Sequence, residues 1–241
     1  MNNIITVDAN IGAGKTTLLK YMMRLYDITI DLEPVDDWKP YLKKIYEENK
    51  GYADIQYEVW KRSWIQPKTE NLMLMERSPK IVNETFLEIH HNNGNIGDED
   101  YDLLKRMYER THKQWKPVKY IYLRVSPEVC FEHIQVRDRD SENKIPFEYI
   151  KEIHDYHESA IQKLRECGED VCIIEGDNKS VEQTAKDLLS YIGLDSKKIA
   201  TPISTNVVIK TEKDECPLTT ELKSLSLEDK DHINNDCIRK E

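Results

Sequence analysis

A lysine and two threonines stand behind closely spaced glycines in the stretch Ala9-Asn10-Ile11-Gly12-Ala13-Gly14-Lys15-Thr16-Thr17. Ahead of it, residues 4–8 are an apolar, strand-like run; behind it, Leu18-Leu19-Lys20-Tyr21-Met22 continues as a helix. Strand, small-residue loop, Lys-Thr and helix is the order of a phosphate-binding loop. Backbone N–H groups of such a loop and of the helix start converge on phosphate oxygens. Glycines let that backbone come close, Lys15 reaches the β- and γ-phosphates, and the Thr16 hydroxyl is placed to ligate Mg²⁺. Ala9 stands where the usual pattern has its first glycine, and a methyl group there is tolerated if the backbone angles suit an L-residue. The loop specifies a triphosphate donor and leaves the acceptor open.

Charged residues cluster at the ends of the next apolar runs. Residues 28–33 end in Glu33, followed by Pro34-Val35-Asp36-Asp37-Trp38; residues 72–76 end in Glu76-Arg77-Ser78. Carboxylates at the carboxyl ends of parallel strands lie on the ligand side of an open α/β sheet. Farther on, Arg137-Asp138-Arg139-Asp140-Ser141-Glu142 precedes Pro146 and offers two arginines able to close over a triphosphate.

These groups need a frame. Five apolar runs, at 4–8, 28–33, 72–76, 120–124 and 171–175, alternate with helical stretches, which predicts an α/β fold with a parallel five-stranded sheet flanked by helices. Ser126-Pro127-Glu128 has the composition of a helix start. Residues 147–164 repeat apolar and aromatic side chains at helical spacing through Tyr149, Ile150, Ile153, Tyr156, His157, Ala160 and Ile161, and are assigned to core or subunit interface.

Composition bounds the rest. The net charge of −10 argues against a general nucleic-acid backbone binder. Six Lys/Arg against nine Asp/Glu from residue 201 onward leave most of that charge in the body of the chain. Few aliphatics and no aromatics occur in that tail, so 1–195 is expected to be the folded domain and 196–241 a polar, disordered tail. The five cysteines lack metal-like spacing and are read as free thiols of a cytoplasmic or other reducing compartment. No leader is expected before the first strand, and no apolar run approaches the roughly 20 residues that span a bilayer, so no membrane partner is expected.

Taken in order, Asn-Ile-Gly-x-Gly-Lys-Thr-Thr, Glu-Pro-Val-x-x-Trp, Glu-Arg-Ser, Tyr-Leu-Arg-x-Ser-Pro-Glu-Val and Arg-x-Arg-x-x-Glu resemble the deoxyribonucleoside kinases of the deoxycytidine, deoxyguanosine and mitochondrial thymidine kinase type. The resemblance runs from about residue 3 to about residue 190. It implies a P-loop kinase fold with a lid, and ATP with Mg²⁺ as phosphate donor. Glu33 would then be general base toward a nucleoside 5′-hydroxyl, with Arg77 holding it and the developing charge. Glu76 would join Thr16 at the metal, while Lys15, Arg137 and Arg139 stabilise the transferring phosphoryl group. Trp38, Ile45, Gln56, Val82 and Phe86 would bound the base, Tyr46 and Glu142 would bond the 3′-hydroxyl, and Glu175 and Asp177 would contact the donor adenine. The resemblance also implies a homodimer and feedback inhibition by a deoxynucleoside triphosphate.

Ser63 and Val82 stand where an arginine and an aspartate would mark a purine- or cytosine-leaning relative, so a pyrimidine preference is expected, thymidine first and deoxycytidine second. Two other readings compete. A thymidylate-type monophosphate kinase would need basic groups for the acceptor phosphate where Glu33 stands, and a carboxylate there would repel it. A catalytically inactive kinase-like subunit would be free to lose Lys15, Thr16, Glu33, Glu76 and Arg77, all of which are present.

Overall fold

The computed structural model describes residues 3–194 apart from 65–68, 70, 115, 116, 118, 138, 140 and 141. The polar tail expected from residue 196 lies outside the described residues, as do Asp138, Asp140 and Ser141 of the arginine segment. The strands are β1 (Ile4–Asp8), β2 (Thr29–Asp31), β3 (Met73–Glu76), β4 (Lys119–Arg124) and β5 (Val171–Glu175). They pair in parallel in the order β2-β3-β1-β4-β5. Central β1 has β3 on one side, with Val7 opposite Glu76, and β4 on the other, with Asp8 opposite Tyr122.

Around the sheet lie α1 (Lys15–Leu25), α2 (Val35–Glu48), α3 (Tyr52–Ser63), α4 (Pro79–Val82), α5 (Glu88–Asn92), α6 (Asp98–Gln114), α7 (Pro127–Arg137), α8 (Phe147–Glu166) and α9 (Val181–Ile192). Side chains alternate along each strand, so neighbours in sequence serve opposite faces. Ile5, Val7, Ile121 and Leu123 join Leu18, Leu19 and Met22 of α1, Cys130 and Ile134 of α7, and Leu188 and Leu189 of α9 in one core. Tyr120 and Tyr122 join Ile81 of α4 and Ala160, Ile161 and Leu164 of α8 in another. Burying one side chain such as Leu19 contributes about 1.5–3 kcal/mol, and α1 is thereby fixed directly behind the phosphate loop.

All five expected strands are present, with one informative difference in length. β2 stops at Asp31 rather than Glu33. The Glu33 amide donates to the Glu76 carboxylate at 3.1 Å, so it leaves the sheet ladder and serves the site. From β1 the chain first builds β2 and β3 on one side and then crosses to β4 and β5 on the other. The switch therefore lies beside β1, where open α/β sheets place their ligands beyond the carboxyl ends.

Candidate active site

The loop after β1 takes its shape from two glycines. Gly12 (φ 82°) presses on α7, where a Cβ would come within 2.3 Å of the Cys130 carbonyl oxygen. Gly14 (φ 88°) is the left-handed residue that starts α1. Ala9 needs no such freedom: among the described residues, positive φ outside glycine is confined to Asn49, Arg77 and Asn178. Asn10 turns inward, its carboxamide donating to the Ile150 carbonyl at 2.8 Å and accepting the Ile11 N–H at 2.8 Å. The Lys15 ammonium donates to the Ala9 and Asn10 carbonyls at 3.2 and 3.0 Å. Burial, helped by the Arg77 charge, lowers its pKa to about 8.

Beyond the strand ends lies a network of carboxylates and one arginine. The Thr16 hydroxyl donates to Glu76 Oε1 at 2.6 Å, and Glu76 Oε2 accepts the Glu33 amide. Arg77 Nε pairs with Glu33 Oε1 at 2.9 Å, and its Nη1 donates to the Ala9 carbonyl at 3.0 Å. Arg77 has φ 65°, a left-handed conformation that bulky residues avoid. Its own amide, bonded to Val7 O at 3.0 Å, and the two side-chain contacts hold it there. Asp8, the last residue of β1, was not among the expected site residues. It accepts the Ser78 amide at 2.8 Å beneath this network, and burial raises its pKa to about 6. The Thr16–Glu76 oxygens are hard donors of the kind Mg²⁺ takes, so these residues fit that ion.

Adjoining the network is a cleft lined by Glu33, Trp38, Ile45, Tyr46, Gln56, Arg77, Val82, Phe86 and Glu142, all the residues expected to face the nucleoside except Ser63. Ile11, Gly12, Lys15, Thr16, Glu76, Arg137 and Arg139 border the same cleft, so the expected catalytic groups meet the wall expected to face the nucleoside. Gln56 is buried with its carboxamide oxygen unpartnered. Arg77 lies over the Phe86 ring, 4.7 Å from its centroid. The wall also holds Val59, His90 and Tyr149, which the sequence reading did not place there. Helical spacing assigns Tyr149 to core or subunit interface; it belongs to the cleft as well as the core, because it stands in the first turn of α8 where the cleft cuts in.

Ser63 is not among the lining residues. It lies seven positions beyond Gln56, on the same side of α3 but about 10 Å farther along the axis, and its hydroxyl donates to the Trp60 carbonyl at 2.9 Å. Val59, one turn after Gln56, occupies the wall instead. Neighbouring Arg62 ties the ends of β2 and β3, with Nη2 3.2 Å from Asp31 Oδ1 and Nη1 donating to Glu76 O at 3.2 Å. Between α4 and α5 the chain forms a π-helical stretch, Asn83–Leu87. In an α-helix each four-residue step overshoots a full turn by about 40°; the wider stretch offsets that drift, and Val82, Phe86 and His90 share one wall.

Glu142 sits between the arginines, in contact with Arg137 and with Oε1 3.3 Å from Arg139 Nη1. A second cleft runs along the outer side of the loop, bounded by Gly12, Ala13, Gly14, Thr17, His133, Arg137, Gly176 and Lys179. His133 Nδ1 lies 2.9 Å from the Gly12 carbonyl. Glu175 and Asp177 flank this cleft without lining it: Glu175 pairs with Arg124 at 2.9 Å, and Asp177 accepts the Ser126 amide at 2.9 Å.

A phosphate loop, a carboxylate–arginine pair and a neighbouring cleft beyond the carboxyl ends of a parallel sheet define a P-loop kinase. The chain belongs to the deoxynucleoside kinase family, whose model matches residues 5–194. It is an ATP-dependent phosphotransferase acting on deoxynucleosides, which settles the choice among the three readings of the sequence. Mitochondrial thymidine kinase 2 of Homo sapiens is 28% identical over 190 residues, covering 73% of this chain and 71% of its own. The deoxyguanosine kinase of Dictyostelium discoideum is 26% identical over 191 residues, covering 73% and 65%. The structure of deoxyadenosine kinase from M. mycoides, with the products dCMP and a flexible dCDP bound, shares the fold at TM-score 0.69 and 20% identity, covering 79% of this chain and 98% of that one. No described helix is long and apolar enough to cross a membrane.

Proposed function

We propose that the cleft holds a pyrimidine deoxynucleoside, thymidine in preference to deoxycytidine, and that Glu33 is the general base of its 5′-phosphorylation. The observation that carries this reading is the buried, unpartnered Gln56 carboxamide oxygen in the same cleft as the Glu33–Arg77 pair. An unsatisfied buried acceptor costs about 1–3 kcal/mol, and a pyrimidine N–H edge removes that cost. Phe86 and Trp38 would flank the ring, while Val59 and Val82 add aliphatic wall to the same cleft and supply no polar partner of their own.

Positioned this way, the 5′-oxygen attacks the γ-phosphorus of ATP, the bond to the β–γ bridging oxygen breaks, and ADP leaves. The hydroxyl proton passes to the Glu33 carboxylate, which Arg77 aims through a single bridge at 2.9 Å. Lys15, Arg137 and Arg139 carry the positive charge that offsets the spreading negative charge on the phosphoryl oxygens. Thr16 and Glu76 would hold Mg²⁺, which would neutralise part of the negative charge of the transferring phosphate. Tyr46 and Glu142 take the 3′-hydroxyl; burial, with the Glu142 charge adding to it, keeps the Tyr46 hydroxyl protonated and so able to donate.

We further propose a domain ending near residue 195, with a separate tail, a homodimer in solution and feedback by a deoxynucleoside triphosphate, on the strength of family membership. Phosphorylation of the four deoxynucleosides and of dTMP with Mg-ATP tests the acceptor. Thymidine is expected to have the highest kcat/KM and deoxycytidine the next; the reverse order overturns the base assignment, and turnover of dTMP alone overturns the nucleoside site.

A further inference from the structure

Two residues, Arg77 and Ser78, carry the chain from the end of β3 into α4. Arg77 makes this turn at φ 65°, a conformation that persists in a bulky residue only where its surroundings enforce it. The end of β1 does the enforcing, through three hydrogen bonds. The Arg77 amide donates to the Val7 carbonyl at 3.0 Å, the Ser78 amide to Asp8 Oδ1 at 2.8 Å, and Arg77 Nη1 to the Ala9 carbonyl at 3.0 Å. Two of these acceptors are backbone, which any residue supplies. The third is the Asp8 side chain, and it fixes the peptide plane between Arg77 and Ser78.

The turn alone does not ask for a charge there. An asparagine would accept the same amide without taking a carboxylate out of water, and Asp8 is 0% exposed. Burial pushes its pKa up to about 6, so the ionised form, which prevails above that value, costs the fold stability. What the charge faces is a pair of buried cations, Arg77 and Lys15, both of which feel the Asp8 carboxylate. Around Arg77 stand three carboxylates, Glu33, Glu76 and Asp8. Glu33 loses its charge when it takes the hydroxyl proton, and Glu76 is engaged by the Thr16 hydroxyl and the Glu33 amide. Asp8 does not line the cleft, so its charge stays in place throughout.

We propose that Asp8 is a positioning residue for Arg77: it sets the turn that aims the guanidinium at Glu33, and its carboxylate holds the guanidinium there while Glu33 carries the proton. The proton moves from the 5′-oxygen to Glu33, none passes to Asp8, and Asp8 touches neither substrate. This rests on Glu33 as the base and on Arg77 as the residue that aims it.

Steady-state kinetics of Asp8→Asn, Asp8→Glu and Asp8→Ala test this. A second readout is solvent exchange of the Arg77 Nε–H, followed by nitrogen-15 NMR and assigned by its loss in Arg77→Lys. Asp8→Asn keeps an acceptor for Ser78 and should melt close to wild type. It should nevertheless lose about tenfold in kcat, equally for thymidine and deoxycytidine, with the KM for ATP and for nucleoside within about twofold. Its Arg77 Nε–H should exchange faster than in wild type. Asp8→Glu restores the charge and should keep more of kcat than Asp8→Asn. Asp8→Ala loses both charge and acceptor, and should have the lowest kcat and melting temperature of the three. A wild-type kcat or an unchanged Nε–H exchange in Asp8→Asn overturns the proposal and leaves Asp8 as a cap of the turn. A rise in ATP KM alone also overturns it, since the charge would then serve Lys15. So does a wild-type Nε–H that exchanges as fast as that of a solvent-exposed arginine, whatever the variants do. Near-normal kcat in Glu33→Gln, run alongside, would instead remove the base beneath the proposal, while Nε–H exchange would still report whether Asp8 holds Arg77.

Discussion

Between Asp8 and Thr17 the proposed phosphate grip draws on one short stretch of chain, whereas the proposed nucleoside cleft collects its wall from α2, α3, the α4–α5 helix, the arginine segment and α8. The first region works through backbone: two left-handed glycines, a carbonyl pair under Lys15 and a helix start. The second works through side chains whose polar atoms are buried before a ligand arrives, as at Gln56 and His90. Glu33, Glu76 and Arg77 form the junction of the two: Thr16 donates to Glu76 at 2.6 Å, and Arg77 bonds the Ala9 carbonyl at 3.0 Å and Glu33 at 2.9 Å. Damage to the grip should therefore affect every acceptor alike, damage to the cleft should sort acceptors from one another, and damage at the junction should strike the chemistry itself.

The junction gives the largest expected effect. Glu33→Gln keeps the shape and removes the proposed base and half of the Arg77 ion pair, so kcat should fall about 10²–10⁴-fold, with ATP affinity within a few-fold of wild type. Steady-state kinetics with a separate nucleotide-binding titration would check this. A kcat within a few-fold of wild type would show that the proton has another acceptor. Next comes Gly12→Ala in the grip, where the added methyl meets the Cys130 carbonyl oxygen at 2.3 Å and φ is 82°. Backbone must move at α7, and a loss of stability of about 2–4 kcal/mol is expected, with a raised ATP KM that is the same for every acceptor. Chemical denaturation and ATP kinetics read both effects; a KM rise that differed among acceptors would break the division between the regions.

Gln56→Leu probes the cleft alone. Thymidine KM should rise about ten- to a hundredfold, corresponding to about 1.5–3 kcal/mol of lost hydrogen bonding to the base, while ATP KM stays put. Stability should hold or rise, because the substitution removes a buried oxygen that has no partner in the free protein. Equal KM shifts for ATP and thymidine would argue that the two regions are coupled well beyond Glu33, Glu76 and Arg77.

The same contrast explains what could be read from sequence. Spacing alone exposes a grip made of consecutive residues, and the bounds of β1 and β5 fell where apolar runs marked them. The cleft was legible only through an ordered set of family motifs, because its parts are distant in the chain. What escaped had no periodic signature. Helical spacing marks Tyr149 as inward-facing and cannot tell a core from a cleft wall. Nothing in a 3.6-residue period announces the π-helical stretch at Asn83–Leu87 that brings His90 into line with Val82 and Phe86. Ser63 was on the right side of α3, but two turns too far along, a distance that a motif alignment does not measure. Glu175 and Asp177, which the family resemblance places at the donor adenine, are engaged with Arg124 and the Ser126 amide.

The smallest expected effect concerns Ala9, the one departure from the usual loop pattern. Were the grip dependent on a glycine at every position of that pattern, restoring it would strengthen ATP binding. Ala9 is fully buried, its φ lies outside the left-handed region, and its carbonyl accepts from both Lys15 and Arg77. The position thus asks for a fixed carbonyl, which any L-residue supplies, and gains nothing from glycine's freedom. Ala9→Gly should leave ATP KM within about twofold and lower stability by about 0.4–1 kcal/mol, through the larger conformational entropy of the unfolded chain. Its effect should also be the same for thymidine and deoxycytidine. A tightened ATP KM would show instead that the methyl group holds the loop away from its phosphate, and the grip would then depend on side-chain packing as much as the cleft does.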